Sequence, residues 1–69
     1  MKSSARNHFF GTVKELVKGP VSAEVTITIA SGVDVVATIS TRSADLLGLA
    51  VGRPAQALIK ASSVIVAIG

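Results

Sequence analysis

Val21-Ser22-Ala23-Glu24-Val25-Thr26-Ile27-Thr28-Ile29-Ala30 alternates residue by residue. Val21, Ala23, Val25, Ile27 and Ile29 fall on one side. Ser22, Glu24, Thr26, Thr28 and Ala30 fall on the other. A period of two is the signature of a half-buried β-strand. Ser31-Gly32 follows as a tight turn, and residues 33–40 read as the returning strand of a hairpin.

Working outward, residues 9–18 form a first strand closed by Lys18-Gly19-Pro20, a turn in which Gly19 is free to take positive φ. Beyond the hairpin, Ser40-Thr41-Arg42-Ser43-Ala44-Asp45-Leu46-Leu47-Gly48 changes character. A Ser/Thr cap precedes helix-forming residues, and Gly48 stands at the expected stop, so about two turns of helix are predicted. Leu46 and Leu47 are expected to plug one end of a barrel. Gly52-Arg53-Pro54 is a further turn, residues 55–60 a fourth strand and residues 64–68 a fifth, with a bend at Ser62-Ser63. Three strands, a short helix and two strands in one small all-β domain, residues 1–69, fit a five-stranded Greek-key barrel of the OB class with one short helix between strands 3 and 4. The same pattern is compatible with an SH3-like barrel.

Composition narrows the function classes. Sixty-nine residues allow one small core, and chains of this size lean on disulfides, a structural metal or oligomerisation for stability. With no cysteine and one histidine, the first two are excluded as thiolate or histidine-cluster chemistry. The chain is 49% hydrophobic but only 3% aromatic, with a mean hydropathy of +0.65. So much aliphatic surface exceeds what one small barrel hides, which points to a homo-oligomer. Residues 25–33 and 61–69 are the longest uncharged runs, far short of the roughly 20 apolar residues of a spanning helix. The N-terminal stretch MKSSARNHFF has no apolar core of a secretory signal. The expected compartment is therefore the cytoplasm, with no membrane partner.

Nothing points to catalysis. His8 is the only candidate base, and no acid is obliged to sit beside it. Its plain reading is an exposed polar residue. Glu15, Glu24, Asp34 and Asp45 read as solvated surface carboxylates. No phosphate-binding loop or dinucleotide fingerprint is present. The chain is not expected to be an enzyme. Nucleic acid is disfavoured too. Single-strand binders use aromatic platforms, and only Phe9 and Phe10 are available, pointing to opposite faces of a strand. Their plain reading is one core and one interface residue.

Small anions are better served. A tetrahedral dianion needs convergent donors and some positive charge, which hydroxyls, turn amides and Arg or Lys supply. Three stretches combine small hydroxyl residues with a cation: Ser3-Ser4-Ala5-Arg6-Asn7, Ser40-Thr41-Arg42-Ser43 and Lys60-Ala61-Ser62-Ser63. A pocket of donors alone favours molybdate, tungstate or sulfate, which are fully deprotonated, over phosphate, which must donate a hydrogen near neutral pH.

The segments Ser4-Ala5-Arg6-Asn7, Gly11-Thr12-Val13, Lys18-Gly19-Pro20-Val21-Ser22-Ala23-Glu24-Val25, Ile39-Ser40, Leu47-Gly48-Leu49, Gly52 and Leu58-Ile59-Lys60-Ala61-Ser62-Ser63-Val64 together resemble the molbindins. These are small molybdate-binding proteins built from one Mop (TOBE-like) domain. Ser3, where relatives often carry an apolar residue, and the aromatic His8-Phe9-Phe10 depart from the pattern without removing a donor. The resemblance implies a molybdate or tungstate ligand held at subunit interfaces of a homohexamer, a trimer of dimers. One site would take Ser4, Arg6, Lys60, Ala61 and Ser62, with Ser40 and Ser43 from a neighbouring subunit. A second site near the three-fold axis would draw on Asn7 and on Val21, Ser22 and Ala23. The metal enters only as its oxyanion, with no resident metal site. Storage or buffering of the oxyanion is the implied role. A single-stranded nucleic-acid-binding OB module and a purely structural assembly module are the alternatives. For Arg6 and Lys60 the plain readings are a surface charge and a solvated strand residue.

Overall fold

A computed structural model describes residues 4–69. Four strands and one short helix account for the regular structure: β1 Asn7–Lys18, β2 Ser22–Ala30, β3 Val33–Ser40, α1 Thr41–Leu46 and β4 Pro54–Ile59, followed by a single 3₁₀ turn at Ala61–Ser63. The strands form one antiparallel sheet in the order β3-β2-β1-β4. The all-β, OB-like architecture therefore holds, with the helix between the third and fourth strands.

The alternation of β2 sets the core. Ala23, Val25 and Ile27 are buried, and Val13, Val25, Ile27 and Ala57 make one cluster with Leu16, Ile29, Val35, Ile39, Leu49 and Ala55 packed around it. On β1 the inward residues are Val13 and Leu16, three apart rather than two or four. The cause is a bulge. Val13 pairs with Ile27 and Glu15 with Thr26, so Lys14 is an extra residue that resets which side faces in. Val13 is also held on its other flank. Its N–H donates to the Arg53 carbonyl and its carbonyl accepts from Gly52 N–H, each at 2.9 Å. Gly52 reaches that contact with φ of +90°, a conformation side chains resist.

Gly11 is required for a different reason. A Cβ there would lie 2.4 Å from the Thr28 carbonyl oxygen, so β1 and β2 approach closely only because position 11 has no side chain.

Helix α1 is capped as the sequence predicts. Ser40 Oγ accepts from Ser43 N–H at 3.0 Å, and Gly48 ends the turn with φ of +65°.

Four expectations are corrected. Residues 64–68 pair with no strand, so the sheet has four strands rather than five, and the barrel is open between β3 and β4. Period and composition specify a strand but not where its partner lies. Leu46 and Leu47 do not plug the barrel, being 76% and 69% exposed. Ala44 is the buried residue of the helix. At 3.6 residues per turn Leu46 points about 200° away from Ala44. Gly19 does not take positive φ, which among the glycines is confined to 32, 48 and 52. Its N–H closes the turn to the Ser22 carbonyl at 2.8 Å, and a Cβ would press on that carbonyl at 3.0 Å. Phe9 is not a core residue. Phe9 and Phe10 are 38% and 70% exposed, on the part of β1 that pairs with β4.

Candidate functional site

Two of the three donor stretches meet. In the β1/β4 ladder Asn7 stands opposite Ile59, and Asn7 Nδ2 donates to the Ile59 carbonyl at 3.2 Å. In an antiparallel register the residues just beyond that pair are Arg6 on one chain segment and Lys60 on the other. Ser4 and Arg6 are exposed bends of the chain, and Lys60 is exposed at the entry to the 3₁₀ turn. The turn is closed by Ser63 N–H donating to the Lys60 carbonyl at 2.8 Å. Ala61 and Ser62 begin it, so their amides have no acceptor within the turn itself.

The third stretch lies at the other end of the sheet. Ser22 pairs with Ser40 and Ala23 with Ile39, while Lys18 pairs with Ala23. Thr41 N–H donates to the Val21 carbonyl at 2.9 Å, and Thr41 Oγ1 donates to the Gly19 carbonyl at 2.7 Å. Ser40 Oγ donates to Ser43 Oγ at 2.8 Å, which leaves the Ser43 hydroxyl hydrogen free to turn outward. Val21 and Ser22 are exposed, whereas Ala23 is buried and offers no side-chain surface.

One chain thus joins Ser4, Arg6, Asn7, Lys60, Ala61 and Ser62 at one end, and Val21, Ser22, Ala23, Ser40 and Ser43 at the other. The ends are those of the 12-residue strand β1, a contour on the order of 40 Å at about 3.3 Å per residue. Within one copy neither the Arg6–Lys60 group and the Ser40–Ser43 group nor Asn7 and residues 21–23 converge.

The charges divide in the same way. Lys14 pairs with Asp34 at 2.9 Å and Lys18 with Asp45 at 2.6 Å. The contact with Lys14, reinforced by a hydrogen bond from Thr28 Oγ1 at 2.7 Å, holds the Asp34 carboxyl below its ordinary range and raises Lys14 in return. Arg6, Arg42, Arg53 and Lys60 make no ion pair among the described residues. Two acidic groups are therefore neutralised by lysines, while four cations stay available to an external anion. Of these four, Arg42 lies within a hydroxyl-and-cation stretch but is not among the candidate site residues. It is exposed beside Ser43.

His8 is exposed, with Nε2 2.6 Å from Gln56 Oε1 and its ring 4.9 Å from that of Phe10. No group of three or more metal-ligating side chains occurs among the described residues. No described helix is long and apolar enough to cross a membrane.

A small OB-like sheet with hydroxyls, turn amides and unpaired cations gathered at its two ends defines the class: a binding module. Residues 3–66 match the TOBE domain family, and the chain belongs to it. Among solved structures it is similar to a molybdate-binding protein from Sporomusa ovata, at 40% identity and a TM-score of 0.90, covering 99% of this chain and 100% of that one. It is similar also to MopII from Clostridium pasteurianum, at 37% identity and the same TM-score, covering 97% and 100%. Among curated relatives, a probable molybdenum-pterin-binding protein from Haemophilus influenzae is 43% identical over 99% of both chains. The molybdenum transport protein ModE from Herbaspirillum seropedicae is 48% identical over 94% of this chain. This chain spans about a quarter of that protein's length, as it does for the first four curated relatives it matches.

Proposed function

We propose that this chain binds molybdate, or the closely similar tungstate, and that its role is storage or buffering of the oxyanion in the cytoplasm. The observation that carries the reading is the β1/β4 register, whose last pair, Asn7 with Ile59, is followed by Arg6 on one segment and by Lys60, the amides of Ala61 and Ser62 and the Ser62 hydroxyl on the other. Charge and donors without a carboxylate suit an anion that carries no proton of its own. The names of the full-length relatives support the same ligand.

The separation of the donor groups supports an interfacial site. One copy supplies Ser4, Arg6, Lys60, Ala61 and Ser62. A neighbour supplies Ser40 and Ser43, with Ser40 holding the Ser43 hydroxyl so that its hydrogen turns toward the anion. Asn7 and residues Val21, Ser22 and Ala23 would meet in the same way around a second anion, with Ala23 contributing only its backbone. A hexamer built as a trimer of dimers satisfies both demands.

Equilibrium dialysis against molybdate, tungstate, sulfate and phosphate tests the proposal. Retention of molybdate and tungstate at micromolar concentration, with phosphate excluded, is expected. A chain that retains none of the four sinks it.

A further inference from the structure

One cluster on the sheet has no part in the anion site. Val13 of β1 and Ala57 of β4 are buried, so by alternation His8 and Phe10 on β1, and Gln56 and Leu58 on β4, face the opposite side of the sheet. The register sets Phe10 across from Gln56 and His8 across from Leu58. All four are exposed, Phe10 by 70%. The two rings lie 4.9 Å apart and are tilted by 38°. His8 Nε2 is 2.6 Å from Gln56 Oε1. An amide oxygen only accepts, so Nε2 is the donor. Both N–H donors of the Gln56 amide stay free, and Nδ1 of the neutral imidazole is left as an acceptor.

These are the parts of a seat for a flat heterocycle. Two ring faces serve for stacking, and an amide and a ring nitrogen serve the polar edge. Charge adjoins the seat. Arg6 and Lys60 stand two residues beyond His8 and Leu58, about 7 Å along each segment. Neither makes an ion pair among the described residues. Their position suits a phosphate carried by the heterocycle. A phosphate monoester loses its second proton near pH 6. Near neutrality it is mostly a dianion that asks only for donors, which Arg6 and Lys60 are.

The rest of the same face does not suit a nucleic-acid strand. Leu16 pairs with buried Val25, and Glu24 stands between buried Ala23 and Val25. Glu15 and Glu24 therefore face the side of His8 and Phe10, exposed and outside any ion pair among the described residues. They repel a further phosphate. One ring pair and one pair of cations match a single nucleotide unit.

We infer that this outer face binds a flat heterocycle carrying one phosphate monoester, of the nucleoside monophosphate kind. The ring lies on Phe10 and His8, its polar edge meets Gln56, and its phosphate takes Arg6 and Lys60. The aromatic seat goes beyond the proposed function. Only the sharing of Arg6 and Lys60 with molybdate rests on it.

The test is an NMR titration of the intact chain with adenosine 5′-monophosphate, adenosine and ribose 5-phosphate. The monophosphate is expected to shift the ring signals of His8 and Phe10 and the side-chain amide of Gln56 saturably. It should bind about tenfold more tightly than either of its parts. Phe10→Ser, at an exposed position, should weaken it about tenfold, the loss of one stacked base, while molybdate retention in dialysis stays unchanged. No saturable shift, an affinity equalled by ribose 5-phosphate, or an unaltered affinity in Phe10→Ser overturns the assignment. A single-stranded oligonucleotide bound far more tightly than the monophosphate overturns it too, by making the face a surface for strands. Dialysis of the same sample keeps the two readings apart. Molybdate retained without nucleotide binding sinks the aromatic seat and leaves the proposed function standing. Nucleotide bound without retention of molybdate does the reverse.

Discussion

Asn7 Nδ2 clasps the carbonyl of Ile59 at 3.2 Å, where β1 begins and β4 ends. That contact ties two segments 52 residues apart in sequence, and Arg6 and Lys60 are the next residues beyond the Asn7–Ile59 pair. Arg6→Ala and Lys60→Ala should each weaken molybdate binding about 10- to 100-fold. That corresponds to a charge-assisted bond of about 1.5–3 kcal/mol. Arg53→Ala, an exposed cation outside the proposed site, should leave binding unchanged. Calorimetric titration checks all three, with circular dichroism confirming that each variant folds. Equal affinity in the Arg6 and Lys60 variants would take both residues out of the site.

Molybdate should raise the stability of the folded form. A ligand that binds only the native state contributes about 2.7 kcal/mol at one hundred times its dissociation constant. For a chain this short that is a rise of about 10 °C or more in Tm. Thermal unfolding in molybdate and in matched sodium chloride gives the comparison. An identical Tm in both would remove the molybdate reading and leave the nucleic-acid and structural-module alternatives.

Gly11→Ala should destabilise the protein by about 1–3 kcal/mol, the usual cost of forcing atoms into a closed contact. The added methyl would press on backbone, the Thr28 carbonyl, as well as on Ile27 Cγ2 at 2.8 Å. Denaturant unfolding measures it. An effect below about 0.5 kcal/mol would show that β1 and β2 separate without penalty.

Ser40→Ala removes the acceptor of the Ser43 N–H and the partner of its hydroxyl. A lost N-cap costs about 1 kcal/mol. The loss should be seen in chemical denaturation without added oxyanion, which separates capping from any part Ser40 plays in binding.

The Lys14–Asp34 pair makes stability depend on pH at both extremes. Asp34 is lowered from its ordinary 3.8 by Lys14 and Thr28. Its contribution is present above that value and disappears as pH falls through the lower folded one. Lys14 is raised from 10.5 by Asp34. Its contribution is present below 10.5 and disappears as pH rises through the higher folded value. In Lys14→Gln the Asp34 midpoint should move up toward 3.8 and stay slightly below it, because Thr28 still donates. Carboxyl ¹³C NMR titration reads this directly, and an unmoved midpoint would contradict the pairing.

The elements with a strong local signal were legible in the sequence. Alternation identified β2, Ser31-Gly32 fixed the hairpin, and Ser40 and Gly48 bounded the helix. Features that depend on distant parts of the chain were not. Nothing in the spacing of Val13 and Leu16 reveals a bulge until β2 is laid against them. Leu46 and Leu47 look like plugs, yet Ala44 is the residue of the helix that is buried. Residues 64–68 read as a fifth strand, but no local pattern says whether the sheet supplies them a partner, and it does not. The proposed site was legible as three hydroxyl-and-cation stretches. That only two of them meet in one copy follows from the register of β1 with β4, which sequence periodicity does not carry.

The extra residue at Lys14 has a mechanical consequence. It divides β1 into two lengths whose inward side chains keep opposite parity, and each length is matched to that parity alone. A slip of one position would turn Val13 and Leu16 toward water together, with no compensating gain at either end. The strand behaves like a keyed shaft: it can be pulled out of the fold, but it cannot creep along its neighbours.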